Sequence, residues 1–362
     1  MQKPRRIVMV APHFEEYALR LSVALADHAE MLLILNTDVL GGEFAGRNMP
    51  SHPRLSIRHN GFASAAELTR LLWTIRRFRP DVLHWQEPSG FIKAAFAGAT
   101  MMATGKATRT ALTIHDPVPH AGRDARVAAR LAPLRRFTRA RVDRLFLHGP
   151  ACADQYQRAY LGTDRADDRV RLTEHGVLLP PPEPHALPDD CRVLMFGRME
   201  AYKGLDTLAE ALEHLSRSGR SIRVDIAGMG PEMDRLEPRL HRLPGVTVRN
   251  MFVPAASLIE MIGAASCVVL PYKEASQSGV LAAAFASGRF VIASEVGGLV
   301  DLVEHGSNGL LVPPDEPGAL AAALALAADD RALRERLSKG ATETAATRLD
   351  WRRIAARLLA DY

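Results

Sequence analysis

Short apolar, β-branched runs alternate along this chain with longer stretches in which apolar residues recur every three or four positions. The first pattern predicts strands buried on both faces and the second predicts helices packed along one stripe. Their alternation predicts βαβ units and parallel sheets. In the first half the predicted strands are Arg6–Ala11, Met31–Leu35, Leu55–Arg58, Val82–Trp85, Ala111–His115, Arg144–Leu147 and Val170–Leu172. Between them Ala65–Phe78 reads as a helix, with Leu68, Leu72, Ile75 and Phe78 on one face. The second half gives Arg192–Phe196, Ile222–Ala227, Val246–Val248, Cys267–Leu270, Phe290–Ala293 and Gly309–Val312 as strands.

The two halves are separated by a proline-dense stretch that cannot form a regular element. The predicted organisation is a first Rossmann-like domain over residues 1–178, a linker at 179–190, and a second Rossmann-like domain over 191–345. A C-terminal helix at 346–362 is expected to pack back on the first domain. Two open α/β sheets joined in this way are expected to face each other across a cleft, with ligands at the carboxyl ends of the strands. The length of 362 residues accommodates two such domains.

Composition narrows the class without naming a chemistry. With 47% apolar and 24% charged residues the chain reads as globular. No stretch approaches the roughly 18 uncharged apolar residues of a membrane span. The basic start followed by Ile7–Pro12 resembles a signal peptide, but the run is short and Glu15 and Glu16 follow it, so a first strand is expected. The three cysteines, Cys152, Cys191 and Cys267, lack metal-ligand spacing and suit a reducing cytoplasm, and no metal site is expected. Charge is uneven. Residues 1–178 hold 26 Lys and Arg against 17 Asp and Glu, whereas the remainder holds 20 against 24. One half therefore expects an anionic partner, and nucleic acid is not the expected one.

Candidate chemistry concentrates in the second half. After the strand ending at Phe196, Gly197 frees the backbone, and Arg198 and Lys203 sit in the loop before a helix that starts near Leu205. Two cations at a strand's carboxyl end beside a helix N-terminus suit a diphosphate; the alternative is a pair of solvated charges. After the strand ending at Leu270, the stretch Pro271-Tyr-Lys-Glu-Ala-Ser-Gln-Ser-Gly-Val280 forms a small polar turn that opens a second helix. Amides at Gln277, Ser278, Gly279 and Val280 would point at an anion, while Glu274 offers acceptors to hydroxyls. A carboxylate beside a phosphate site makes sense where the ligand joins sugar hydroxyls to its phosphates. A third strand ends in Gly228-Met-Gly-Pro231.

In this order, Phe196-Gly-Arg…Tyr-Lys-Gly204, Ala227-Gly-Met-Gly-Pro231, the Pro271–Gly279 stretch, Glu295-Val-Gly-Gly-Leu-Val-Asp-Leu-Val303 and Gly306-Ser-Asn-Gly-Leu-Leu-Val-Pro-Pro314 resemble the C-terminal domain of the retaining family 4 glycosyltransferases. The likeness covers nearly all of residues 190–320. The first half resembles the family more loosely, through its topology and the strand end Leu112-Thr-Ile-His-Asp116. The resemblance implies a GT-B fold and a hexose-type transfer from a nucleoside diphosphate sugar to a glycan or lipid-linked acceptor in bacterial polysaccharide synthesis. It assigns Arg198 and Lys203 to the diphosphate, Glu274 to hydroxyls of the transferred sugar, and the amides of Gln277–Val280 to sugar and phosphate. Gly228 and the segment Asn250, Met251 and Phe252 go to the nucleotide, and His115 to the reacting sugar. No cofactor is implied, because protein cations take the place of a metal.

Three positions depart from the family pattern. Ala282 stands where a second Glu, eight positions after the first, binds ribose. Ala11-Pro-His-Phe14 replaces a glycine pair, and Met251 replaces a glycine before Phe252-Val253. The competing readings are a same-fold synthase or phosphorylase with a soluble acceptor and a nucleotide-sugar-binding pseudoenzyme.

Residues 123–144 hold eight arginines against two aspartates, with Val127, Leu131, Leu134 and Phe137 at helical spacing and Pro133 expected to kink or divide the helix. The alternatives there are a solvated face and a basic face that touches a diphosphate-linked acceptor or the anionic lipid headgroups on the inner surface of the cytoplasmic membrane.

Overall fold

The computed structural model describes residues 4–37, 50–118, 123–162, 166–179 and 186–362. The chain divides into two compact units, residues 1–174 with 351–362, and residues 175–350. Half of the expected linker, residues 180–185, lies outside the described residues.

The first unit carries strands β1 (Arg5–Ala11), β2 (Ala29–Asn36), β3 (Leu55–Asn60), β4 (Val82–Gln86), β5 (Arg109–Ile114), β6 (Arg144–His148) and β7 (Val170–Thr173). Its helices are α1 (Glu15–Ala26), α2 (Ala65–Phe78), α3 (Phe91–Ala103), α4 (Arg123–Arg139) and α5 (Gly149–Tyr160). The second unit carries β8 (Arg192–Phe196), β9 (Arg223–Ala227), β10 (Val246–Arg249), β11 (Cys267–Leu270), β12 (Phe290–Ser294) and β13 (Gly309–Val312). With them run α6 (Leu205–Arg217), α7 (Pro231–Leu240), α8 (Ala255–Ala264), α9 (Gly279–Ala286), α10 (Leu299–Leu302), α11 (Pro317–Asp329) and α12 (Arg331–Arg348). The last helix, α13 (Trp351–Asp361), belongs to the first unit.

Both sheets are parallel. Their orders are β3-β2-β1-β4-β5-β6-β7 and β10-β9-β8-β11-β12-β13. Each reverses direction once, between β1 and β4 and between β8 and β11. That is the place where an open α/β sheet leaves a crevice outside its strand ends. Central strands such as β11 and β12 are buried along their whole length, which is why they read as almost wholly apolar runs.

Local chemistry sets several boundaries. Ser64 and Glu67 form a capping box at the start of α2, and the helix stops at Arg79, in a left-handed conformation before Pro80. The inward stripe of α2 is centred on Leu71 and Ile75, so Leu71 takes the place expected of Leu72. The α4 helix runs through Pro133 undivided. The side chains of Val127 and of arginines 123, 126 and 130 lie outside the described residues.

The arginines beyond Pro133 divide: Arg136 and Arg141 stay exposed, while others are engaged inside the unit. Arg139 is 2% exposed and grips Glu87 with both ends of its fork, Nε to Oε1 at 2.6 Å and Nη2 to Oε2 at 2.7 Å. Arg135 comes within 4.0 Å of the same carboxylate, and Arg144 donates to the Asp361 carbonyl at 2.9 Å. No helix among the described residues is long and apolar enough to cross a membrane.

Candidate active site

At the carboxyl end of β8 the backbone turns at Gly197, runs past Arg198, and forms a single 3-10 turn at Ala201–Lys203 before α6. That turn folds Lys203 back under the strand end. A Cβ at Gly197 would lie 2.9 Å from Lys203 Nζ, and the same point is 3.9 Å from a methyl of Val280 on α9. The loop after β8 and the first turn of α9 therefore meet at Gly197, on the two sides of the sheet's switch point.

Lys203 is 7% exposed, and its ammonium lies 5.2 Å from the centroid of the Tyr272 ring. Among the described residues neither Lys203 nor the exposed Arg198 forms an ion pair. Burial pushes the Lys203 ammonium below the ordinary lysine range, and the positive Arg198 adds to that push. A buried cation without an ion-pair partner is costly to hold in a folded protein, and an anion lowers that cost.

The α9 N-terminus is built for the same ligand chemistry. Ser278 caps it by accepting from the Leu281 amide at 3.2 Å. Gln277 Oε1 is shut away from solvent with no hydrogen-bond partner among the described residues. The turn is braced from behind by Gly297, which has φ +45° and where a Cβ would fall 1.5 Å from the Ala275 carbonyl oxygen. Glu274 is exposed at the start of the turn, beside Lys273, which is held at 2.9 Å by Asp206 and 2.8 Å by Asp315.

Next to this pair of loops lies a cavity of about 830 Å³, lined by Gly197, Arg198, Gly228, Asn250, Met251 and Phe252 among others. Its floor exists because the loops after β8 and β9 continue the sheet's hydrogen bonding past the strand ends, Gly197 N–H to the Ala227 carbonyl at 3.0 Å and Met199 N–H to that of Met229 at 2.8 Å. Gly228 takes φ +145°, and a Cβ there would stand 1.9 Å from the Gly197 carbonyl oxygen. Met229, Met251 and Phe252 are 53%, 58% and 73% exposed around the rim. The Asn250 amide is tied down by Asp234 at 3.0 Å and Glu237 at 2.8 Å. An apolar rim with a cation on one wall suits a planar ring attached to an anion.

The sequence-predicted residues thus fall into groups. Arg198, Gly228, Asn250, Met251 and Phe252 line one cavity, Lys203 and Val280 adjoin it at Gly197, and Gln277, Ser278 and Gly279 form the cap of α9. His115 lies in the first unit, 1% exposed. It donates from Nε2 to Gln86 Oε1 at 2.8 Å, and His148 Nε2 lies 3.2 Å from its Nδ1. Phe14, at φ +57°, stacks on it at 3.8 Å. Ala282 is 1% exposed in the second unit's core, so nothing at that position offers an acceptor to a ribose.

One residue escaped the sequence reading. His175 is buried, 3.8 Å through its Cε1 from the Cβ position of Gly279, and burial pushes its imidazole down to about 4. Its Nδ1 lies 2.9 Å from the Gly176 carbonyl, which can only accept, so Nδ1 carries the proton. The neutral ring packs on the cap of α9 without adding charge. No local pattern around Glu174-His175-Gly176-Val177 marks it; only the fold brings it to α9.

The family described as "Glycosyl transferases group 1" matches residues 190–330, and "Glycosyltransferase Family 4" matches residues 14–178. The chain belongs to the family 4 glycosyltransferases. It is 32% identical over 193 residues to alpha-D-kanosaminyltransferase of Streptomyces kanamyceticus, covering 51% of this chain and 48% of that protein. It is 35% identical over 245 residues to D-inositol 3-phosphate glycosyltransferase of Saccharomonospora viridis, covering 62% and 56%. The chain spans about half the length of the curated relatives it matches. Among solved structures, sucrose-phosphate synthase from Thermosynechococcus elongatus superposes with a TM-score of 0.76 at 18% identity over 98% of both chains. Anabaena HepE in complex with UDP and glucose gives 0.71 at 17%, again over 98% of both. These likenesses show the GT-B fold, two parallel-sheet α/β domains.

Proposed function

We propose that this family 4 glycosyltransferase moves a hexose-type sugar from a nucleoside diphosphate sugar to a glycan or lipid-linked acceptor in polysaccharide synthesis, with retention at the anomeric carbon and without a metal. The carrying observation is the buried, unpaired Lys203 beside Arg198, at the capped N-terminus of α9 and next to an apolar-rimmed cavity. Departure of a nucleoside diphosphate leaves an oxocarbenium-like carbon and a doubly charged leaving group. Arg198, Lys203 and the amides of Ser278–Val280 stabilise the developing charge, which is the work a divalent cation does elsewhere. Glu274 binds hydroxyls of the transferred sugar, and the cavity at Asn250, Met251 and Phe252 takes the nucleobase. The family resemblance assigns His115 to the reacting sugar, and within its own unit Gln86 sets its tautomer. No carboxylate stands out as a double-displacement nucleophile, which favours front-face attack assisted by the leaving phosphate.

UDP is the first donor nucleotide to test, since it is bound in the structurally similar HepE. A reading with a soluble phosphorylated acceptor follows the names of two relatives, a D-inositol 3-phosphate glycosyltransferase and a sucrose-phosphate synthase. The test is incubation with UDP-, GDP- and dTDP-hexoses in excess EDTA, with and without candidate acceptors. Release of nucleoside diphosphate alongside a retained glycoside is expected. Release of sugar 1-phosphate when a glycan and inorganic phosphate replace the donor points to the phosphorylase reading, donor binding without turnover to a pseudoenzyme, and loss of activity in EDTA overturns the metal-free mechanism.

A further inference from the structure

A second cavity, of about 520 Å³, lies wholly within the first unit, between α2 and the edge strand β3. Its floor is Leu32 and Ile34 of β2. The parallel register sets Ser56 and Arg58 of β3 beside them, on the same face of the sheet. As the edge strand, β3 leaves Ser56, Arg58 and His59 exposed. The opposite wall is α2, which contributes Arg70, Trp73 and Arg77, and Arg6 reaches in from the start of β1.

Four arginines and a histidine line this groove, with no aspartate or glutamate among the lining residues. None of Arg6, Arg58, Arg70 and Arg77 has an ion-pair partner among the described residues. The carboxylate whose charge reaches Arg70, that of Glu67, has Oε2 occupied by the amides of Ala63 and Ser64 at 2.8 Å each. Two of the guanidinium groups rest instead on aromatic faces, Arg6 4.6 Å from the Phe78 centroid and Arg77 5.5 Å from that of Trp73. Such contacts orient a guanidinium while leaving its donor edge and its charge unspent. Trp73 is 62% exposed at the rim. Part of the positive charge of the first half is thus left without an ion-pair partner here.

We propose that this groove binds a phosphate ester. The forks of Arg58, Arg70 and Arg77 take the phosphate oxygens, and the Trp73 indole covers the apolar or sugar face of the esterified alcohol. The ester is either a soluble sugar phosphate or a phospholipid headgroup. The site is separate from the donor cavity and independent of the activity proposed for it.

Trp73 is the natural reporter, because Trp85 is fully buried and Trp351 packs edge-on against Tyr17 at 5.2 Å. Indole emission of the full chain is titrated with glucose 6-phosphate, and separately with phosphatidylglycerol and phosphatidylcholine vesicles, at low and high salt. Three proteins are compared: wild type, Arg58→Gln/Arg70→Gln/Arg77→Gln, and Arg198→Ala/Lys203→Met. At least one phosphate probe is expected to give a saturable response that weakens with salt, is about tenfold or more weaker in the triple variant, and is unchanged in the second variant. A glucose 6-phosphate response alone assigns the soluble source; a response to phosphatidylglycerol but not phosphatidylcholine assigns the headgroup. No response to either probe, equal binding by the triple variant, or loss in the Arg198/Lys203 variant overturns the proposal. If the triple variant does not fold, Arg58→Gln/His59→Gln, both exposed on β3, supplies the same comparison.

Discussion

Replacing Lys203 with methionine should move stability and ligand binding in opposite directions. Methionine keeps the apolar stem that fills the space under Gly197 and over Tyr272, and removes only the ammonium. In the unliganded protein Lys203 is 7% exposed, and its ammonium has no ion-pair partner among the described residues. The effective penalty for such an ion is several kcal/mol, so its removal should leave the unliganded protein as stable as wild type or more so. Donor binding loses a charge-assisted contact of about 1.5–3 kcal/mol, which raises Kd roughly 10- to 100-fold. At a nucleoside diphosphate concentration near 100 times the wild-type Kd, ligand stabilisation is about 2.7 kcal/mol, and it falls to about 1.4–0.4 kcal/mol in the variant. Transition-state stabilisation falls further, with kcat/KM down by about two orders of magnitude. Differential scanning fluorimetry with and without UDP, beside a steady-state assay, measures all three. A variant that loses several kcal/mol without ligand, or keeps the wild-type ligand shift, shows that Lys203 is a structural residue and refutes the diphosphate assignment.

Arg139→Met should destabilise the first unit by about 3–5 kcal/mol, because it strands the buried Glu87 carboxylate, and Glu87→Met/Arg139→Met should recover much of the loss; denaturant unfolding decides, and equal midpoints for all three forms would sink the idea. Gly228→Ala should cost well over 1 kcal/mol and close the cavity, since the added methyl falls 1.9 Å from a carbonyl oxygen at φ +145°; a soluble, stable variant with unchanged UDP affinity contradicts this. The lowered ammonium of Lys203 sets a pH dependence. The charged form that a diphosphate needs is complete below its folded pKa and disappears as pH rises through it, so UDP affinity should fall on the alkaline side at a lower pH than an unperturbed lysine, about 10.4, would give. In the unliganded protein the sign reverses: the penalty is fully present below the folded pKa and fades as pH rises toward the unfolded value. Calorimetric titration across this range checks the trend, and an alkaline fall that persists in Lys203→Met places it on another group.

Much of this architecture is legible before folding because parallel strands are covered on both faces. Each predicted strand has its counterpart in the two sheets, and the differences lie at the ends. The β2 ladder reaches out to Ala29 and Asn36, where Glu30 and Asn36 interrupt the apolar run yet still pair. The β5 strand stops at Ile114, one residue short of His115, which leaves the imidazole just past the strand end. The grouping of Gly197, Arg198 and Lys203 was readable too, since they lie within one short loop. Contacts made only by tertiary approach were not readable. The fork of Arg139 closes on a glutamate 52 residues earlier, so a run that counts as basic in sequence is partly neutralised in the fold. His175 reaches the cap of α9 from more than a hundred residues away.

The return of α13 to the first unit dictates an order of assembly. Trp351 lies edge-on to Tyr17 at 5.2 Å, Arg5 and Arg144 each donate at 2.9 Å to the carbonyls of Leu359 and Asp361, and the Tyr362 hydroxyl bonds to buried His84 in the middle of β4. During synthesis the residues of the first unit emerge early, yet its sheet stays uncovered along α1 and β7 until α13 has left the ribosome. Residues 175–350 form one contiguous body that is fully synthesised before that point. The unit encoded second can therefore close first, while the unit encoded first waits with apolar surface exposed to chaperones. Variants that weaken α13 should accordingly show themselves as poor yield of protein whose second unit is sound.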